Sequence, residues 1–165
     1  MILSTHGVIG GALASITKAS PPVALVIGFA SHFVFDTIPH WDYKLNSFKR
    51  HKDNPLHNDI ELGREFLIDL TKIGSDALLG LIIPLAIVWF RGGQATTMVA
   101  VACGAIGGML PDFLQFVYFK IRREPLTSLQ RFHGFIHAKR KITDWRVGLG
   151  LQVLLMSAVA LSFWF

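Results

Sequence analysis

The chain has little cysteine and lacks the common catalytic motifs. Its one thiol, at Cys103, lies in an apolar stretch, so an intramolecular disulfide framework and a cysteine-based zinc finger are excluded. No GxSxG, Walker loop, GxGxxG or HExxH motif occurs. Serine hydrolysis, nucleotide-binding folds and zincin chemistry therefore have no support. The opening MILSTHG has no basic n-region or cleavage site, so we expect no removable signal peptide.

Charged residues are absent from four long stretches. Asp, Glu, Lys and Arg are missing from residues 19–35, 77–90, 92–111 and 147–165. Apolar residues make up 52% of the 165 residues, and the mean hydropathy is +0.46. A membrane-spanning helix needs about 20 apolar residues. The composition is typical of a polytopic membrane protein, and the alternative is a soluble bundle with unusually apolar helices.

The apolar pattern predicts one all-α domain over residues 1–165, a polytopic membrane helical bundle of about five segments. We expect an amphipathic helix over 59–73 to lie along the membrane surface and to run into the third segment. GxxxG spacings at Gly7–Gly11 and Gly104–Gly108 favour close helix contacts, within the chain or between copies in a homo-oligomer. The predicted segments are 4–17, 23–38, 76–90, 96–119 and 147–165.

Basic residues are concentrated in and beside two polar loops, 43–58 and 120–146. Residues 44–72 contain six Lys or Arg and residues 120–146 contain eight, whereas the other connections contain only Lys18 and Arg91. Basic loops of membrane proteins stay in the cytoplasm. This asymmetry predicts a cytoplasmic N-terminus and a C-terminus on the other side.

The stretch GFASHFVFDTIPHWD, residues 28–42, carries four ionisable groups in an apolar context. A spacing of four residues puts His32 and Asp36 on one helical face, and Pro39 is expected to end the helix. His40 and Asp42 then follow in the turn. One such histidine alone is more simply a hydrogen-bonded core residue. The four together indicate a site for zinc, manganese or iron.

Other candidate ligands converge on the same side of the predicted membrane. His6 falls at the inner end of the first segment, Asp76 at the inner end of the third, and Asp112 in the inner half of the fourth. An aspartate within a membrane helix costs about 2.5–3.5 kcal/mol on insertion scales, so each needs a partner. Lys72 is an alternative partner for Asp76. Asp112 has no basic residue within seven positions.

The second basic loop contributes a histidine pair. Pro125 is expected to open a short helix that reaches His137. On it His133 and His137 are four residues apart, a spacing that suits a two-point metal clamp, although two surface histidines in a basic loop are the alternative. His51 and His57 have no apolar flank and are interpreted as ordinary loop residues.

These residues exceed the ligand set of one tetrahedral ion, so one to three ions are expected, with zinc preferred over manganese and iron. His40, Asp42 and Asp76 are assigned to catalysis, either as further ligands or as acid/base and supporting groups. Basic side chains near the late histidines are expected to attract phosphate or anionic headgroups, the alternative being ordinary topology charge. The predicted metal ligands are His6, His32, Asp36, Asp112, His133 and His137. The predicted substrate-binding residues are Arg122, Arg123, Lys139, Arg140 and Lys141.

With these motifs assembled, the chain resembles the YdjM-like family of LexA-regulated bacterial inner-membrane proteins, which are described as metal-dependent hydrolases. The resemblance rests on Thr5-His6 before glycines, a Pro-x-x-Asp turn at Pro39, Leu110-Pro111-Asp112, and the late histidines. It implies a multi-pass protein of the bacterial inner membrane. The pair His32-x-x-x-Asp36 is also similar, more weakly, to the ligand pair of zinc-dependent phospholipase C, an all-helical enzyme.

The sequence therefore favours a membrane-bound metal-dependent hydrolase acting at the cytoplasmic interface. Its expected substrate is a phosphoester that is a lipid or lies close to the membrane, and its expected partners are membrane lipids. The main alternative is a non-enzymatic membrane protein whose His/Asp cluster is a structural metal site or an ion pathway. The pI near 9.7 also allows a nucleic-acid surface, but loop topology already explains the charge, so no nucleic acid is expected.

Overall fold

The structure is a computed structural model that describes residues 1–162, so residues 163–165 of the predicted last segment lie outside it. Over the described range the chain is all-α with six helices, which confirms the all-α part of the predicted fold class. The helices are α1 (Leu3–Ile16), α2 (Pro21–Phe35), α3 (Arg64–Phe90), α4 (Ala95–Ile121), α5 (Leu126–Ile136) and α6 (Trp145–Ser162).

Helix α1 is the centre of the bundle and packs against α2, α3, α4 and α6. It is rich in Gly, Ala, Ser and Thr, so other backbones come very close to it. A Cβ atom on Gly7 would lie 2.6 Å from the carbonyl oxygen of Gly80 in α3, and one on Gly10 would clash with the carbonyl of Gly104 in α4. Only glycine permits this approach. The predicted GxxxG contacts therefore form within the chain.

Helices α3 and α4, of 27 residues each, are long and apolar enough to cross a membrane by length and composition. Each is about 40 Å long at about 1.5 Å per residue. Their most apolar windows are only 22% and 39% buried, so most of this surface is not covered by the rest of the described chain. The apolar helices over Leu3–Ile16, Pro21–Phe35 and Trp145–Leu161 are shorter.

One predicted element differs from the structure. The helix predicted over 59–73 begins only at Arg64, because Asp59–Ile60 form a short strand, and it then runs unbroken into the third predicted segment as α3, which ends at Phe90. No residue between Ile73 and the third predicted segment lacks a backbone N–H, so helical hydrogen bonding continues through this region. Pro84 and Pro111 lie inside α3 and α4, which both continue past them.

The first basic loop folds against the end of α4. Its strand Phe48–Lys49 (β1) pairs antiparallel with Asp59–Ile60 (β2), and a 3-10 turn, Pro55–His57, lies between them. The hydroxyl of Tyr118 donates to the Leu56 carbonyl over 3.0 Å. In the second loop Pro125 directly precedes α5, which ends at Ile136, as predicted to within one residue.

Candidate metal centre

All but one of the predicted ligand and catalytic side chains meet at one end of the bundle. We call this set the His/Asp cluster. It joins the start of α1, the end of α2 and the turn after it, the second half of α4, and the end of α5. Its members are His6, His32, Asp36, His40, Asp42, Asp112, His133 and His137.

Asp36 lies at the centre of the cluster and is 1% exposed. Its Oδ1 is 3.1 Å from His6 Nε2, and its Oδ2 is 3.0 Å from His133 Nε2 and 3.3 Å from His32 Nε2. His137 Nε2 is 3.7 Å from the same Oδ2. One buried carboxylate therefore faces imidazoles from three helices and from the residue that follows α5.

Backbone carbonyls fix the orientation of two of these imidazoles. His32 donates its Nδ1–H to the carbonyl oxygen of Gly108 over 2.8 Å, and His40 donates its Nδ1–H to that of Ile38 over 2.7 Å. A neutral imidazole that donates through Nδ1 presents a bare lone pair at Nε2. Metal-bound histidines are held in the same way, with one nitrogen on a carbonyl and the other on the ion.

His40 gives the clearest sign that a cation fits here. The residue is 2% exposed, and its Nε2 has no hydrogen-bond partner among the described residues. A buried polar atom without a partner costs about 1–3 kcal/mol. The nearest groups are the Oδ1 atoms of Asp42 and Asp36, at 3.4 Å and 3.8 Å. The bare nitrogen thus points toward two carboxylates, an arrangement that a divalent ion would satisfy.

The distances match those between ligands that share one ion. Bond lengths of about 2.1 Å and tetrahedral angles put neighbouring zinc ligands about 3.4 Å apart. Here His32 Nε2 is 3.3 Å from both His133 Nε2 and Asp36 Oδ2, and 3.7 Å from Asp112 Oδ1. Four three-residue groups within the cluster have ligand atoms that all lie within 4.8 Å of one another.

The charge distribution also favours a cation. The amino nitrogen of Met1 lies 3.0 Å from Asp36 Oδ1 and 3.0 Å from Asp42 Oδ1, so the space between these carboxylates accommodates positive charge. Burial opposes the charged form of Asp42, but the nearby imidazole of His40 and the cations at Met1 and Lys141 outweigh it and lower the pKa of Asp42. Burial lowers the pKa of His137, which keeps that imidazole neutral and able to bind a metal.

Asp76, which was predicted to act in catalysis, lies outside the His/Asp cluster. Its carboxylate accepts hydrogen bonds from the backbone N–H groups of Leu3 (2.7 Å) and Ser4 (3.1 Å), at the start of α1. Lys72, considered as its partner, instead pairs with Asp69 over 2.9 Å. Asp76 therefore anchors the helix that carries His6, and a catalytic role for it stays a prediction.

The predicted substrate-binding cations lie on the surface. Arg122 donates to the carbonyl of Asn58 over 3.1 Å and lies 4.0 Å from Asp59, so it faces the first loop. Lys141 binds Asp42 Oδ2 over 2.9 Å at the edge of the cluster. The remaining three, Arg123, Lys139 and Arg140, are exposed beside α5.

Gln152 in α6 is a polar residue of the site that the sequence reasoning missed. It is 3% exposed, and its Oε1 accepts from the Ile2 N–H (3.0 Å) and the Thr5 hydroxyl (3.2 Å). Its Nε2 donates to the carbonyl of Trp41 over 2.9 Å. Gln152 thus ties α6 to α1 and to the turn that carries Asp42. An isolated glutamine in an otherwise apolar segment was the available signal.

An apolar groove of ≈ 760 Å³ lies beside the cluster, between α2 and α5. Phe29, Phe33, Leu129, Phe132 and Phe135 line it. The ring of Phe33 also packs edge-on against the imidazoles of His32 and His133, at centroid distances of 5.4 Å and 5.6 Å. One aromatic side chain therefore forms both the wall of the groove and the wall of the cluster.

Comparison with known proteins gives no match to a family model, a curated protein or a solved structure.

Proposed function

We propose that the protein is a membrane-bound metal-dependent hydrolase of phosphoesters, with zinc preferred over manganese and iron. The observation that carries this proposal is the set of imidazole Nε2 atoms gathered around buried Asp36, with His32 and His40 held by backbone carbonyls. A structural ion would need only four of these groups. The surplus of titratable side chains fits a centre that also moves protons.

The residues of the cluster would have separate roles in metal binding, proton transfer and positioning. His6, His32, Asp36, Asp112, His133 and His137 would hold the metal, which when bound supplies a water of pKa about 7 and polarises a phosphoryl oxygen. His40 and Asp42 lie 3.4 Å apart at the edge of the cluster, where they could either bind a further ion or accept and return a proton. Asp76 would act through α1 by keeping His6 in place. Asp112 and Asp42 are 29% and 30% exposed, so a substrate could reach this side of the cluster.

A membrane location is supported by the exposed surface of the helices. Large apolar side chains are exposed on all six, most of them on α3 and α6. Such a surface needs a cover, either lipid or another protein. The cluster lies at one end of the bundle, and Arg91 lies at the far end of α3. We therefore propose a multi-pass protein of the bacterial inner membrane, with the cluster and the two basic loops in the cytoplasm.

The location can be tested by labelling in intact cells, in a Cys103→Ser background that removes the only cysteine. Lys52→Cys lies in the first basic loop and Gln94→Cys in the turn between α3 and α4. A membrane-impermeant maleimide should label the variant at position 94 and label the variant at position 52 only after lysis. The reverse pattern would place the cluster outside the cytoplasm.

The groove supports a substrate with an acyl chain. It is apolar throughout except for Thr37, and Phe33 connects it to the cluster. Lys139, Arg140 and Lys141 begin two residues after the last histidine and carry charge that an anionic headgroup would meet. An amphiphilic phosphoester would therefore place its chain on α2 and α5 and its headgroup at the cluster.

The ion pathway considered above has less support. The buried residues between the cluster and the far end of the bundle include Ala12, Val88 and Val101, with Ala14 and Ala100 beside them. These apolar side chains offer no ligands along the described core. Metal uptake into proteoliposomes that contain the purified protein would restore the pathway hypothesis.

The hydrolase proposal is tested with detergent-purified protein on vesicles of a fluorogenic anionic phospholipid and on a short-chain soluble phosphodiester. We expect turnover that a chelator abolishes and zinc or manganese restores. His57→Ala, an exposed histidine outside the cluster, serves as the control and should retain full turnover. Turnover that persists in excess chelator would reject the mechanism.

A further inference from the structure

We infer that the His/Asp cluster binds two metal ions, and that the carboxylate of Asp36 bridges them. This inference concerns the number and arrangement of ions, and it rests on the proposed metal centre but not on the reaction assigned to it. Three features of the cluster carry it: two separate ligand groups, the position of Asp36 between them, and the unpaired nitrogen of His40.

Two of the four possible ligand groups do not contain Asp36, and these two share no residue. The first is His32, Asp112 and His133, and the second is His40, Asp42 and His137. Each contains two imidazoles and one carboxylate, and in each the three ligand atoms lie within 4.8 Å of one another. The same kind of ligand set therefore occurs twice. All three residues of the second group lie beyond the ends of α2 and α5.

Asp36 lies between the two groups and faces each of them. Its Oδ2 is 3.3 Å from His32 and 3.0 Å from His133, both in the first group. Its Oδ1 is 3.8 Å from His40 in the second group, and its Oδ2 is 3.7 Å from His137. With Asp36 shared, each ion would have four protein ligands, the usual number for zinc. Two ions about 3.5–4 Å apart are a common arrangement in enzymes that cleave phosphoesters.

With two ions, the remaining histidine, His6, would support the bridging carboxylate instead of binding an ion directly. Its Nε2 lies 3.1 Å from Asp36 Oδ1, and its ring stacks on that of His32 at a centroid distance of 3.9 Å. A hydrogen bond from His6 would hold the carboxylate in the plane that both groups need. Supporting contacts of this kind typically change metal affinity by about 10–100-fold.

The charges of the site also favour two ions. Asp36, Asp42 and Asp112 together carry three negative charges, which one divalent ion would leave partly unbalanced in a largely buried site. Two other cations compete for the second position. Lys141 binds Asp42 Oδ2 over 2.9 Å, and the amino nitrogen of Met1 lies 3.0 Å from Asp42 Oδ1. Neither makes a hydrogen bond to His40 Nε2. A second ion would give that nitrogen the partner it lacks.

The experiment counts metal. Wild-type protein is loaded with excess Zn²⁺, passed through a desalting column and measured by elemental mass spectrometry, with folding checked by circular dichroism. Asp42→Asn and Asp112→Asn are the informative variants, because both side chains are about 30% exposed and their loss spares the core. His57→Ala is the matched control. We expect two equivalents in the wild type and the control, and one in each aspartate variant.

Loading with Mn²⁺ adds a second measurement. Two ions that share a carboxylate should give an exchange-coupled electron paramagnetic resonance spectrum, and Asp42→Asn should convert it to that of isolated Mn²⁺. One equivalent in the wild type, unchanged in Asp42→Asn, would overturn the two-ion inference and leave a one-metal hydrolase standing. A folded wild type that binds no metal would overturn both proposals. Two equivalents without turnover on any phosphoester would support two ions and reject the reaction.

Discussion

His32 Nε2 and His133 Nε2 lie 3.3 Å apart, although the residues are 101 positions apart in the chain. Because His32 donates its Nδ1–H to the Gly108 carbonyl, its neutral form has no proton on Nε2. The two nitrogens can share a hydrogen bond only if His133 supplies the proton, and both also face Asp36 Oδ2. A shared metal ion would satisfy both nitrogens and the carboxylate.

Replacing the central carboxylate should remove the metal. We expect Asp36→Asn to lose all bound metal and at least about 100-fold in turnover, because the amide is a weak ligand and Asp36 faces both ligand groups. Elemental mass spectrometry and the phospholipid assay check this. His57→Ala should match the wild type in both. Full metal content in a folded Asn variant would contradict the central position of Asp36.

Removing the metal should also lower stability. An ion present at about 1,000 times its Kd stabilises the folded protein by about 4 kcal/mol if it does not bind the unfolded chain. We expect a chelator to lower the Tm of the detergent-purified protein by several degrees, and added zinc to restore it. The Asp36→Asn variant provides the control, since its Tm should not respond to the chelator. An equal response in both proteins would mean that the chelator acts elsewhere.

The close contact of α1 and α4 should tolerate no added methyl group. A Cβ atom on Gly108 would clash with the backbone carbonyl of His6, so we expect Gly108→Ala to destabilise the protein by about 1–3 kcal/mol. It should also weaken metal binding, because the Gly108 carbonyl orients His32. Gly74→Ala in α3 is the matched control, because open space surrounds that position. Chemical denaturation and metal titration distinguish the two variants.

Filling the groove should discriminate between substrates. We expect Ala30→Trp to lower kcat/KM for a long-chain phospholipid by about 10-fold or more, because the indole would occupy the space beside Phe33. Turnover of a short soluble phosphodiester should stay within about twofold of the wild type. Leu154→Trp, on an exposed position of α6 away from the groove, is the control. Equal losses on both substrates would remove the acyl-chain role of the groove.

Acid should weaken the attachment of the first loop to α4. The hydrogen bond from Lys120, at 2.7 Å, lowers the pKa of Asp59, so this pair stabilises the folded state above the ordinary pKa of about 3.9. The contribution is lost as the pH falls through the lower folded-state value. Since the pair is exposed, we expect Asp59→Asn to cost no more than about 1 kcal/mol at pH 7 and less than that near pH 3. Denaturation at both pH values measures this difference.

The sequence predicted much of the site because the pattern of charge along the chain is strong. Apolar segments and basic loops predicted which helix ends lie together, and this brought His6, His32, Asp112 and His133 to one place. Their mutual distances needed the structure, since spacing along one helix does not determine how two helices approach. The GxxxG motifs predicted close packing correctly without indicating that α1 is the central helix.

What the sequence did not reveal depends on contacts between distant parts of the chain. Gln152 bonds to Ile2 across 150 positions, and Asp76 bonds to Leu3 across 73. Local periodicity contains no information about such pairs. The short strand at Asp59–Ile60 was also missed, because its pairing depends on the loop segment at Phe48–Lys49.

The glycine contacts of α1 determine how the centre can move. A helix that meets its neighbours through backbone atoms cannot slide or turn by one residue, because a shift of about 1.5 Å and 100° would bring Val8 or Ile9 to a place where only glycine fits. His6 is therefore held in register by the packing of the whole bundle. In the proposed metal centre, any movement that admits a metal or a substrate would therefore involve α5 and the turn at His40, while the α1–α4 pair stays rigid.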